Sequence, residues 1–286
     1  MTRRSVPGEI RRFVDRIQSD CRVSSYERAY NAFLEAAGRN GYDLISLING
    51  LERFRGAKPT RPCLAIRHDV DINNVVGNQT FFKVELAHRA TATYYFRLST
   101  AMAHRTFINR LLQSGFEVGY HFEEAADLAK ERQLRTREDV FRCRGEIQER
   151  FMRNCERFRK QYNPHLKSVS SHGDWINRHL KFMNNELLDE SLLAQCGLDF
   201  EAYDGTFKGY FNLYLSDVTL PPERWIGDND WIDRLKGVSG SVYTLAHERQ
   251  WFPAPLIKME ANLTRLVESI RYHIPILRHN KNETRC

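Results

Sequence analysis

Nothing in the 286 residues approaches the run of about 18 apolar side chains that a membrane-spanning helix needs. The opening segment MTRRSVPGEIRRFVDRIQSD is basic but has neither an apolar core nor a small-residue cleavage site, so no secretory signal is expected. The six cysteines (Cys21, Cys63, Cys143, Cys155, Cys196, Cys286) form no CxxC pair. This argues against a thiolate zinc site or a disulfide frame and leads us to expect free thiols in a reducing, cytoplasmic setting. Sixteen glycines and nine prolines are scattered, with no repeat, low-complexity tract or linker, which predicts one domain with decorated ends. No nucleic-acid-binding motif is present, and nucleic acid is not an expected partner.

Charge is not lacking. Of the net +7, five units fall between Lys130 and Lys160, where eleven Lys or Arg face six Asp or Glu. Such a stretch is either a solvated helix face or a surface that attracts an anionic partner, such as a nucleotide-linked sugar or a lipid pyrophosphate. An apolar content of 42% suffices for one sizeable core.

Patterning predicts strands over 64–68, 93–98, 116–122, 168–171, 207–218 and 241–246. Helices are expected over 24–40 (capped by Ser24 or Ser25), 73–89, 106–114, 134–158, 186–196 and 261–272. Strands alternating with helices imply an α/β fold with a mainly parallel sheet. Residues 1–60 read as a helical extension, 61–255 as the core domain, and 256–286 as a terminal helix and basic tail.

The segment Arg67-His68-Asp69-Val70-Asp71 ends the first of these strands. Alternation puts Asp69 and Asp71 on one face, with His68 and Val70 on the other. Two adjacent carboxylates repel unless a cation or a shared proton intervenes; otherwise they are helix caps at a polar strand end. Three more strand ends deliver His121 (in GYHFE), His172 (in SSHGD) and His247 (in LAHE). Alone, such a histidine is ordinarily a structural hydrogen-bonder. In a barrel, strand ends converge, and His with carboxylate suits zinc or a similar divalent ion.

In order and spacing, RHDVD, GFEVGYHFE, SSHGD, YLSD and LAHERQW resemble the polysaccharide-deacetylase (NodB-homology) superfamily, in particular its cytoplasmic branch associated with surface-polysaccharide biosynthesis. The likeness covers about residues 60–255. It implies an irregular (β/α) barrel and metal-dependent removal of N-acetyl groups from sugars. It further implies Asp69 as catalytic base, Asp71 and His121 as metal ligands, and His247 as general acid. Asp217 would orient His247, Arg67 would orient Asp69, and Trp231 and Tyr214 would contact substrate, Trp231 as a wall of the acetyl pocket. The family's second metal histidine falls on Ala125, which leaves His172 or Glu123 as the third ligand. The expected substrate is an N-acetylated, nucleotide- or lipid-linked sugar. A related amidohydrolase, such as a sugar deformylase, would use the same residues, and a non-catalytic sugar-binding protein is the third reading.

Overall fold

The segment CLAIRHDV can bury eight consecutive side chains because a parallel strand covered on both faces has no solvent side. In the computed structural model, which describes residues 6–55, 61–219, 230–238 and 240–274, Cys63–Val70 is such a strand, buried at every position. Numbered along the chain, the strands are β1 Asp43–Ile45, β2 Cys63–Val70, β3 Thr93–Phe96, β4 Glu117–Phe122, β5 Ser168–Ser171, β6 Phe200–Glu201, β7 Leu213–Ser216 and β8 Val242–Ala246. They form one parallel sheet in the order β6-β5-β4-β3-β2-β8-β7. The first half of β2 pairs with β1 (Asp43 opposite Cys63) and its second half with β3 (Arg67 opposite Thr93). Among the described residues no ladder joins β6 to β7, so the sheet is a half-barrel with helices around it.

Parallel strands place all their C-terminal ends on one edge. Asp71, Glu123, His172, Asp217 and His247 each follow the last residue of a strand and are gathered there by topology alone. The helix Val75–Ala87 that follows β2 is capped by Asn74, whose Oδ1 accepts from Gly77 N at 3.1 Å, so neither Asp69 nor Asp71 serves as its cap. Asp174 caps Trp175–Leu180 in the same way, accepting from Ile176 N.

Several expected elements are corrected. The helix Glu27–Arg39 starts after Tyr26, and neither Ser24 nor Ser25 caps it. The single helix expected over 134–158 is two, Arg137–Arg142 and Arg144–Gln161. Gln133 turns the chain at φ +53°, and Thr136 with Asp139 then builds a capping box that starts the first of the pair. The helix expected over 186–196 is a 3₁₀ turn, Asn184–Leu187, followed by Glu190–Gln195, which Asp189 caps. The strand expected over 207–218 is only Leu213–Ser216, because Asp204 accepts from the N–H groups of Thr206 and Phe207 and winds Gly205–Lys208 into a helical turn. The strand β1 lies inside the stretch expected to be a helical extension, so the sheet begins before residue 61. Cys143 is disulfide-bonded, a departure from six free thiols that local spacing cannot show, whereas Cys21, Cys63, Cys155 and Cys196 are free. Among the described residues no helix is long and apolar enough to cross a membrane.

In the basic stretch, three arginines already have carboxylate partners. Arg142 pairs with Asp139, Arg144 with Asp189 at 3.2 Å, and Arg150 with Glu131 at 2.6 Å and Glu146 at 3.0 Å. With carboxylates already beside these guanidinium groups, the expected attraction of an anionic substrate to this helix has no free cation behind it at those three positions.

Candidate metal centre

The site is built outward from Arg67, a fully buried arginine. Its guanidinium grips Asp69 with two parallel bonds, Nε to Oδ1 at 2.7 Å and Nη2 to Oδ2 at 2.6 Å. The remaining donors go to the Tyr243 hydroxyl at 2.8 Å and to Ser170 Oγ. Asp69 is itself buried, which by itself would raise its pKa. The charges of Arg67, His121 and His247 outweigh burial and hold it below the ordinary carboxylate range.

Asp71, one strand period further on, has no such partner. Its Oδ1 is buried and accepts no hydrogen bond. Facing it are His121 Nε2 at 3.3 Å and His172 Nε2 at 3.7 Å. His121 Nδ1 lies 2.9 Å from the carbonyl oxygen of Ser170, which can only accept, so Nδ1 carries a proton and Nε2 is the nitrogen turned toward Asp71. Three possible ligand atoms, one each from Asp71, His121 and His172, therefore converge within 4.8 Å of one another. Ligands on a tetrahedral ion with bonds of about 2.0–2.2 Å stand about 3.3–3.6 Å apart, and the two distances to Asp71 Oδ1, 3.3 and 3.7 Å, are close to that. Burial pushes the Asp71 carboxyl up, but His172, His121 and His247 together bring it well below its usual range.

Glu123 occupies the other side of His172, with Oε2 at 3.0 Å from Nδ1. Arg97 clamps this carboxylate through Nε at 2.9 Å and Nη2 at 2.7 Å. Burial alone would raise Glu123, and the positive charges of Arg97, His172 and Lys130 reverse that, leaving it ionised. Glu123, His172 and Asp174 form a second convergent group sharing His172 with the first.

Across the site, His247 Nδ1 donates to Asp217 Oδ1 at 2.7 Å, while Asp217 Oδ2 accepts from His247 N and from Trp251 Nε1. His247 Nε2 points back to Asp69 Oδ2 at 3.9 Å. Burial disfavours its charge, yet Asp217, and behind it Asp71 and Asp69, raise its pKa to about 10, so the ring is an imidazolium at neutral pH. The loops carrying these groups are pinned by buried carboxylates. Glu248 accepts from Ile72 N, and Glu201 accepts from Ser171 N and Tyr203 N.

No family model matches this chain, and no curated protein matches it in a sequence comparison.

Of the residues singled out in the sequence, Arg67, Asp69, Asp71, His121, His172, Asp217 and His247 come together at one edge of the sheet. Tyr214 stands beside them, its ring 5.1 Å from Tyr243. Trp231 does not join them: it has no exposed surface and packs edge-on against Phe33 of Glu27–Arg39, so it is a core residue and cannot wall a pocket. Sequence reasoning missed Arg97, Tyr243, Ser170 and Trp251. Arg97 directly follows β3 and carries the same strand-end signal as the histidines.

Proposed function

We propose that this protein is a metal-dependent amide hydrolase that removes the acyl group from an N-acylated amino sugar, an activity of the polysaccharide-deacetylase type on a (β/α)-barrel frame. The observation that carries this reading is the unpartnered Asp71 oxygen facing two histidine nitrogens, with Asp69–Arg67 and His247–Asp217 on either side. Asp71, His121 and His172 would hold the ion, and the mixed imidazole and carboxylate set suits zinc. Glu123 sits behind His172, its Oε2 3.0 Å from Nδ1, the side from which a second carboxylate supports a metal-bound histidine.

When bound, a divalent ion supplies Lewis-acid polarisation of the amide carbonyl and acidifies the attacking water. The chain's own groups move the protons. Asp69, kept ionised and rigid by Arg67, accepts the water proton on Oδ2, the oxygen that also faces His121 and His247. His247, charged and held by Asp217, donates from Nε2 to the departing nitrogen, which leaves as an amine. A cytoplasmic location and a nucleotide- or lipid-linked sugar belong to the same reading.

The test is metal content and turnover together. Protein purified without chelators should contain one divalent ion per chain, lost in Asp71→Ala and His121→Ala, and should release acetate from an N-acetyl amino sugar. Asp69→Asn should keep the ion and lose about 10²- to 10⁴-fold in rate. Rates are to be compared well below its melting temperature, since the buried Arg67 loses its counter-charge. Absence of metal, or near-full activity in Asp69→Asn, overturns the assignment.

A further inference from the structure

Tyr203 lies just past β6, and Tyr214 lies within β7, so the two flank the seam where the half-barrel does not close. Lys208, at the end of the helical turn Gly205–Lys208 between them, places its ammonium 4.8 Å from the Tyr214 ring centre and 6.0 Å from that of Tyr203. The Tyr203 ring also carries the Arg67 guanidinium at 4.2 Å, so Lys208 and the Asp69–Arg67 pair share one aromatic neighbour. Burial raises the pKa of both phenols, Arg67 pulls against it, and the Asp69 charge adds to it; both rings are therefore neutral and within electrostatic reach of the site. All three side chains are half-buried and so partly open to solvent.

The cations around the site differ in what they face. Arg67 is committed to Asp69, and Arg97 to Glu123. Lys208 pairs with no carboxylate among the described residues, and its contacts are two ring faces. An ammonium held by aromatic faces keeps its three N–H donors available while its position is restrained. Flat rings beside a point cation are the combination that fits a sugar ring bearing a negative group: the apolar face of the sugar lies on the tyrosine, and the anion meets the lysine.

We propose that Tyr203, Lys208 and Tyr214 form the sugar-binding wall of this site and select an N-acyl amino sugar carrying an anionic substituent, a phosphate or a carboxylate. The proposal rests on the hydrolase reading for the word N-acyl, and on the wall's own geometry for the rest. It also moves the source of anion selectivity from the helix Arg144–Gln161, where Arg144 and Arg150 are paired, to the seam between β6 and β7.

Calorimetry on the full-length metal-loaded chain tests it, with N-acetylglucosamine, N-acetylglucosamine 1-phosphate, UDP-N-acetylglucosamine and an N-acetylhexosaminuronic acid as probes. We expect the charged sugars to bind more tightly than the neutral one by roughly tenfold, with a salt dependence. In Lys208→Met that preference should collapse to near unity, and Lys208→Arg should restore most of it. Tyr203→Leu and Tyr214→Leu should weaken every sugar. The phosphate and uronate arms decide which anion the wall takes. Charged-sugar affinity unchanged in Lys208→Met, or no sugar bound by any arm, overturns the wall. Lys208-dependent binding without acetate release would instead overturn the hydrolase reading and leave the wall standing.

Discussion

Asp217 divides its two oxygens between the side chain of His247 and a pair of N–H donors, His247 N and Trp251 Nε1. That division fixes where the imidazole stands and makes its charge the stable form. His247's folded pKa, about 10, is above the ordinary histidine value of about 6.5. The sign follows: its contribution to stability is complete below about pH 6.5 and is lost as pH rises through the folded value. If His247 is the acid of the reaction, activity has an alkaline limb governed by the same group. Asp217→Asn should move that limb, and the His247 titration seen by NMR, toward neutral pH by about 1–2 units. An unmoved limb together with a moved NMR titration would assign the acid to another group. The sequence made Asp217 and His247 visible as polar residues at strand ends, but not Trp251, whose indole reads as core until its N–H is seen on Asp217.

At the scale of elements, the strand ends were legible because alternation and the polar stop after an apolar run are local properties. The starts of β2, β3, β4, β5 and β8 fall within a residue or two of expectation for that reason. The breaks were not legible. The capping box of Thr136 and Asp139 at the start of Arg137–Arg142, and Asp204 diverting Phe207 out of a strand, are caps that interrupt a hydrophobic pattern without changing its content. Close packing between strands is equally hidden. Gly119 in β4 looks like a weak strand residue, yet a Cβ there would come within 2.2 Å of Tyr95 Cε1 and 3.0 Å of Ser168 O. The Tyr95 ring can lie flat over β4 only because that position has no side chain, and its hydroxyl then reaches Ser168 Oγ at 2.8 Å. Gly119→Ala should therefore cost about 1–3 kcal/mol by overpacking, measured by urea unfolding. Trimming the ring in a Tyr95→Leu background should recover part of that loss; a fully additive double mutant would show that the clash is not with Tyr95.

For the whole molecule, the site is a convergence of distant segments, and this links its occupancy to global stability. Asp71 follows β2, His121 is in β4 and His172 follows β5, so three separate strand–helix units meet at one point. The first and last described helices are tied to the same region. Asp20, in the helix Val6–Arg22, bonds Arg249, two residues beyond His247, at 2.6 Å, and both contact Asn262 of Pro255–His273. A ligand binding only the assembled set stabilises the fold by mass action, about 2.7 kcal/mol at a hundredfold excess over its dissociation constant. For a chain of this size that corresponds to a rise in Tm of roughly 4–5 °C. Zinc added to chelator-treated protein should produce such a rise, and renewed chelation should reverse it. Asp71→Ala should show neither change, because one imidazole pair without the carboxylate holds a divalent ion weakly. Glu123→Gln should keep a smaller rise, since His172 remains but loses the charge that fixes its ring, a loss typically worth about 10- to 100-fold in affinity. If Glu123→Gln abolishes the rise as completely as Asp71→Ala while His172→Ala leaves it intact, Glu123 is itself the third ligand. In that case the second convergent group, Glu123, His172 and Asp174, has to be redrawn with the carboxylate toward the ion and the imidazole behind it.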